Sequence, residues 1–275
     1  MNKLEIKNLS KSYGGFCLYK VSFEVKAGSA VGLIGENGAG KSTVIKSVLG
    51  VIRPDGGEIY LDGHNLNDNP ALRKKLGYVL EDTGLPAELT LKEVSRVFGG
   101  MFSGWNEKRF LSLAARLELP ADKRIKEFSK GMKMKAAISA ALSYDTEALI
   151  LDEPTSGLDP VARDGILDLL YDYREEGRAV LISSHITSDL EKLCDYIVYI
   201  HGGKVVLGGE KDELLRRFVI YPYRAGSPAP GGVRILKREF GADVLGERRL
   251  MPAGSEFRQA TLEDIMLFYS KGDEI

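Results

Sequence analysis

Residues 30–34, "AVGLI", run straight into residues 35–43, "GENGAGKST". A short continuous apolar run is the pattern of a strand covered on both faces, as in a parallel sheet. Three glycines follow within six positions, Gly35, Gly38 and Gly40, and then come Lys41, Ser42 and Thr43. Glycine loosens regular structure and is useful where the backbone must adopt positive φ or approach a neighbour closely. The next residues, "VIKSVLG", have helical spacing. A strand, a glycine-rich turn and a helix start, in that order, aim a nest of backbone N–H groups and the positive end of a helix dipole at one point. That point is made for an anion.

From Gly35 to Ser42 the spacing is G-x-x-x-x-G-K-[ST], the phosphate-binding P-loop. A chance match in a chain of this length is on the order of one in a hundred, and the flanking strand and helix lower it further. Gly35, Asn37, Gly38, Ala39, Gly40, Lys41, Ser42 and Thr43 form the expected nucleotide-binding set. Lys41 is expected to reach the β- and γ-phosphates, and the Ser42 hydroxyl to coordinate Mg²⁺.

Two further apolar runs end in chemistry. "EALILDEP" (147–154) carries Asp152 at a strand end, where it would hold the Mg²⁺ shell, with Glu153 directly after it. A carboxylate there can orient and deprotonate an attacking water. "RAVLISSH" (178–185) ends in His185, expected on the carboxyl edge of the sheet, near the γ-phosphate.

The bulk numbers set bounds. The chain has 275 residues, 44% hydrophobic and 28% charged, the composition of an ordinary globular protein. A formal charge of −1 argues against a general nucleic-acid binder. No apolar run reaches the length of a bilayer span, and "MNKLEIKNLSKSY" lacks a secretion signal's apolar core, so a cytoplasmic location is expected. Cys17 and Cys194 have no metal-type spacing and are expected to be buried free thiols.

Strands and helices alternate over most of the chain, which predicts an α/β core with a parallel sheet flanked by helices and an antiparallel β edge supplied by "KLEIKNLS", "VSFEVKAGS" and "EIYLDG". Residues 82–145 read as consecutive helices and form a helical insert. After Arg217, "YPYRAGSPAPGG" marks a boundary. The expected organisation is therefore 1–217 as the main domain and 218–275 as a small C-terminal accessory region ending in the amphipathic "TLEDIMLFYSKG". That helix is read either as packing on the core or as a regulatory contact.

Together these residues resemble the nucleotide-binding subunit of an ATP-binding cassette (ABC) transporter, over roughly residues 3 to 217. "EFSKGMKMK" is similar to the family signature, usually LSGGQ. Ser129 and Gly131 match it, while Phe128, Lys130 and Met132 depart. "TSGLDP" resembles the D-loop, which places Asp159 at a dimer interface, and Tyr13 matches the aromatic that stacks on adenine. In "KKLGYVLED" Glu81 stands where the family commonly has the Q-loop glutamine, keeping an oxygen ligand for the metal but adding a charge.

The resemblance implies ATP and Mg²⁺ as cofactors and an active ATPase. It further implies a head-to-tail dimer with a second nucleotide-binding subunit, of the same or another chain, and a separate transmembrane permease subunit. It would hold the chain peripherally on the inner face of the membrane. The "SKGM" signature, Glu81 and the "TLEDI" tail look like bacterial exporters of peptides, antibiotics and other amphipathic compounds. The alternative is a soluble single-cassette ATPase acting in an assembly process.

Overall fold

The computed structural model describes residues 2–223, 234–238, 241–251 and 256–274. Most of the proline- and glycine-rich stretch expected as a boundary, from residue 224 onward, lies outside them. The chain starts with an antiparallel pair, β1 (Asn2–Tyr13) and β2 (Phe16–Lys26). β3 (Ala30–Ile34) then leads through the glycine-rich loop into α1 (Lys41–Val48). β4 (Gly56–Leu61) and β5 (His64–Asn65) join the first pair in a four-stranded antiparallel sheet of order β2-β1-β4-β5. β6 (Leu76–Val79) follows, and then three helices without an intervening strand: α2 (Leu91–Met101), α3 (Glu107–Arg116) and α4 (Lys130–Ala141). The α/β alternation resumes with β7 (Ala148–Asp152), α5 (Pro160–Glu175), β8 (Ala179–Ser183), α6 (Thr187–Leu193), β9 (Tyr196–His201) and β10 (Lys204–Glu210).

The central sheet has the order β10-β9-β3-β8-β7-β6. Five of its strands are parallel, and β10 closes one edge antiparallel to β9. The fold is thus a parallel sheet flanked by helices, with antiparallel sheets beside it.

Why the central strands are continuously apolar is visible in their packing. Val31 and Leu33 of β3, Ala148 and Ile150 of β7, and Ala179 and Leu181 of β8 feed one core, shared with α1 and the antiparallel sheet. Their alternate neighbours Ala30, Ile34, Leu149, Leu151, Val180 and Ile182 feed a second core, shared with the helices α2 to α5. Strand residues point alternately to the two faces, so two cores demand apolar residues at every position. β2 buries only one face: Leu18 is buried, whereas Cys17 beside it is exposed. That corrects the expectation for Cys17, because period-two alternation sends it outward; Cys194 is buried as expected.

Beyond β10 come α7 (Lys211–Arg217), β11 (Phe218–Tyr223), β12 (Arg234–Arg238), β13 (Gly241–Glu247), β14 (Arg258–Gln259), α8 (Leu262–Lys271) and β15 (Asp273–Glu274). Their strands make a five-stranded antiparallel sheet, β14-β11-β13-β12-β15. Phe218, Ile220, Leu245, Leu262, Ile265 and Phe268 from this region are buried in the same core as α4 and α5. α8 starts with a capping box between Thr261 and Asp264, and the Leu262 N–H donates to Glu191 Oε1 of α6 at 2.9 Å. Its last turn reaches the glycine-rich loop, where the Ser270 hydroxyl donates to the Glu36 carboxylate.

Candidate nucleotide site

The loop between β3 and α1 depends on two glycines. Gly40, the N-cap of α1, has φ 115°, and a Cβ there would lie 2.8 Å from Leu18 Cδ1. At Gly35 a Cβ would lie 2.4 Å from the Ile200 carbonyl oxygen, far inside van der Waals contact. The loop therefore folds down onto β2 and β9 at both ends. No side chain caps α1, and its first turn carries no acidic residue. Its first N–H groups have no intrahelical partner, which leaves them and the helix dipole for an anion.

Lys41 sits at the centre. It is only 6% exposed, and its ammonium donates to Gly35 O at 2.8 Å and Glu36 O at 3.2 Å. Its Nζ also lies 3.8 Å from Glu153 Oε1. The charge is folded back on its own loop and faces a carboxylate across the cleft.

Adjacent residues of β7 and the turn after it supply that carboxylate and a second one. Asp152 is buried and accepts a 2.5 Å hydrogen bond from the Ser183 hydroxyl of β8. Glu153 takes φ 52°, a left-handed conformation that costs a non-glycine residue about 1–3 kcal/mol. Its N–H is held by Ser183, through the carbonyl and the hydroxyl, both at 3.1 Å. Glu153 Oε2 lies 2.7 Å from His185 Nδ1 and accepts from the His185 N–H at 3.3 Å. The ends of β3, β7 and β8 thus bring Lys41, Asp152, Glu153 and His185 together on one edge of the sheet.

The family model described as "ABC transporter" matches residues 18–156. The chain belongs to the ABC transporter family. It is 37% identical over 212 residues to the lantibiotic transport ATP-binding protein SrtF of Streptococcus pyogenes, covering 76% of this chain and 91% of that protein. It is 34% identical over 219 residues to the Nod factor export ATP-binding protein I of Cupriavidus pinatubonensis, covering 77% and 67%. A solved ATP-binding subunit of an ABC transporter superposes with TM-score 0.72 at 36% identity, covering 78% of this chain and 92% of that one. A dimeric ATP-binding cassette in a post-hydrolysis state, bound to ADP and Pi, matches with TM-score 0.68 at 27% identity, covering 75% and 98%. As a member of this family the chain is an ATPase cassette.

The remaining cassette positions fall into two groups. Tyr13, Asn37, Gly38, Gly40, Lys41, Ser42, Thr43, Glu81, Asp152 and Glu153 line one open cleft of about 450 Å³. Gly35 and Ala39 lie buried beneath it. Sequence reasoning missed two other lining residues, Phe16 and Glu36. Phe16 lies across the hairpin turn from Tyr13, with ring centroids 6.5 Å apart and planes at 29°. Glu36 stands inside "GENGAGKST", but no motif position names it. Ser183 stands in the "ISSH" run, and no motif position marks it either.

Ser129, Gly131 and Asp159 do not line that cleft. Ser129 caps α4, its hydroxyl accepting from the Met132 N–H at 3.2 Å. Asp159 caps α5, accepting from the Val161 and Ala162 N–H groups at 3.1 and 3.0 Å. The bond from Ala162 leads in holding its carboxyl below the usual range. The two segments pack together, since a Cβ on Gly131 would meet Leu158 Cδ2 at 2.9 Å. Glu81, at the rim of the cleft, pairs with Lys130 of the signature at 3.1 Å. Two departures from the family pattern therefore face each other in one exposed ion pair.

Among the described residues no group of three or more His, Cys, Asp or Glu side chains makes a metal cage. Mg²⁺ does not need one, since it typically takes one or two carboxylates, waters and substrate phosphates. The cleft offers oxygen donors only, from Ser42, Asp152 and Glu81. The donor set fits a hard cation.

Proposed function

We propose that this cassette binds Mg-ATP in the cleft between the P-loop and the end of β7 and hydrolyses it, with Glu153 as the general base. The observation that carries the reading is Glu153 itself. It is held at φ 52° with its carboxylate 3.8 Å from Lys41 Nζ and 2.7 Å from His185 Nδ1. A strained backbone that aims a carboxylate at the phosphate cradle is the geometry a base requires. Lys41 leaves the carbonyls of Gly35 and Glu36 and pairs with the β- and γ-phosphates. Ser42 and Asp152 would hold Mg²⁺, with Glu81 at the rim as a third oxygen donor. When bound, the ion would supply charge neutralisation on the phosphates. His185 orients Glu153 and meets the γ-phosphate, while Tyr13 stacks on the base of the nucleotide.

Ser129, Gly131 and Asp159 act on the nucleotide of a second cassette. They sit on helix N-termini outside the chain's own cleft, and the free N–H groups of such termini suit a γ-phosphate. Head-to-tail pairing of two cassettes, identical or not, then gives each ATP one P-loop and one signature. Replacing Ser129 by alanine is expected to leave single-subunit ATP binding within about threefold and to lower cooperative turnover at least tenfold, the scale of losing one charge-assisted hydrogen bond. Binding and turnover that fall in parallel would count against action across the interface.

The cassette powers export through a separate membrane permease, in line with the relatives named for lantibiotic transport and Nod factor export. Peptides, antibiotics and other amphipathic compounds are the cargo class. The permease is a separate polypeptide and the cassette sits peripherally on the inner face; among the described residues no helix is long and apolar enough to cross a membrane. Purification from detergent-solubilised membranes is expected to bring a polytopic membrane protein with the cassette in fixed ratio. Recovery of the cassette alone, from the soluble fraction, would favour an assembly ATPase instead.

A further inference from the structure

The C-terminal region carries a second cleft, of about 680 Å³, lined by Glu213, Arg216 and Arg217 of α7 and by Glu247, Arg248 and Arg249 at the end of β13. Two Arg-Arg pairs, distant in sequence, converge there. Glu247 is almost buried and organises the floor, with Arg217 bonding its Oε1 through both Nε and Nη2, and Arg249 Nε donating to its Oε2 at 2.6 Å. Arg217 also lies over the Phe218 ring, 5.1 Å from its centroid, and Arg248 over the Phe257 ring at 5.6 Å. A guanidinium stacked on a ring keeps its N–H edge free for in-plane partners.

Arg216 and Arg248 are exposed and make no ion pair among the described residues. Among the described lining residues, four guanidinium groups against two carboxylates leave a surplus of two positive charges in a cleft of ligand-binding size. Glu247 engages the hydrogen-bonding edges of Arg217 and Arg249, which leaves the forks of Arg216 and Arg248 for a ligand. Arginine forks match the oxygens of phosphate in paired hydrogen bonds. We propose that this cleft binds a dianionic phosphoryl group, carried by a soluble small molecule or by a lipid headgroup, with Arg216 and Arg248 as its ligands. The site is separate from the P-loop and independent of the export reading.

The test uses the full chain with its P-loop already filled by Mg²⁺ and a non-hydrolysable ATP analogue. Inorganic phosphate is titrated calorimetrically, and phosphatidylcholine vesicles with and without phosphatidic acid are tested by co-sedimentation. The variants are R216Q/R248Q and, as a control for lost charge on other exposed surface, K108Q/K123Q. Saturable phosphate binding that weakens at least about tenfold in R216Q/R248Q but not in K108Q/K123Q supports a soluble ligand. Binding confined to vesicles with phosphatidic acid, and lost in the same variant alone, supports a headgroup. Binding of neither probe, or equal weakening in both variants, overturns the proposal. Mg-ATP turnover measured on the same variants is expected to stay unchanged, which separates loss of this site from loss of the fold.

Discussion

Glu153→Gln is expected to bind Mg-ATP with an affinity within a few-fold of wild type and to lose at least about 100-fold of its turnover. General base catalysis by a positioned side chain contributes roughly 10²–10⁴, and glutamine removes the basic oxygen while keeping the shape. The surroundings argue that the variant keeps its structure. The Glu153 N–H is held by Ser183, independently of the side chain, so the backbone conformation does not rest on the carboxylate. A glutamine carbonyl can still accept from the His185 N–H, where Glu153 Oε2 now accepts at 3.3 Å. The nearest ammonium, Lys41 Nζ, is 3.8 Å from Oε1 and has two carbonyls of its own loop as closer partners. Removing a negative charge beside the phosphate cradle should if anything favour nucleotide binding. Steady-state phosphate release with a fluorescent-nucleotide titration separates the two quantities. Turnover within fivefold of wild type would remove Glu153 from the role of base.

How much of this was legible in the sequence follows from what each feature depends on. The phosphate cradle was legible because its chemistry is local: two glycines whose missing side chains are contacts, and a lysine and hydroxyl at fixed offsets. The central strands were legible because residues such as Leu149 and Ile150 enter opposite cores, which imposes an apolar residue at every position. Asp152 and Glu153 were legible as a pair, yet nothing in their types marks the positive φ of Glu153, because glycine usually announces such a turn. Contacts between distant segments were not legible. Ser183 lies 31 residues from Asp152 and 30 from Glu153 in sequence, and parallel register, which pairs Asp152 with Ser183, is what makes it their partner. The Glu81–Lys130 pair joins residues 49 apart and comes from the way α4 docks beside the end of β6. The same holds for the C-terminal region: the drop in sequence regularity after Arg217 reads as a boundary, while Phe218, Leu262 and Phe268 go into the main core.

Lys41→Met is expected to have the larger effect on binding. Methionine has nearly the length of lysine and no charge, so the variant removes the ammonium and little volume. That ammonium is almost fully buried, with two carbonyl oxygens and a carboxylate around it. A buried lysine is normally costly unless compensated, and these three acceptors compensate it until phosphates arrive. Once they do, two charge-assisted bonds at about 1.5–3 kcal/mol each correspond to at least about 100-fold in affinity. Turnover should fall below detection, since the same charge is needed on the γ-phosphate as it departs. Stability should fall by about 1–3 kcal/mol, because the substitution takes the hydrogen-bond donor from the buried Gly35 carbonyl. Equilibrium dialysis with Mg-ATP, alongside a denaturant midpoint, distinguishes the cases. If Lys41→Met binds Mg-ATP within threefold of wild type, the loop amides and the α1 dipole hold the triphosphate unaided, and Lys41 serves only to shape the loop.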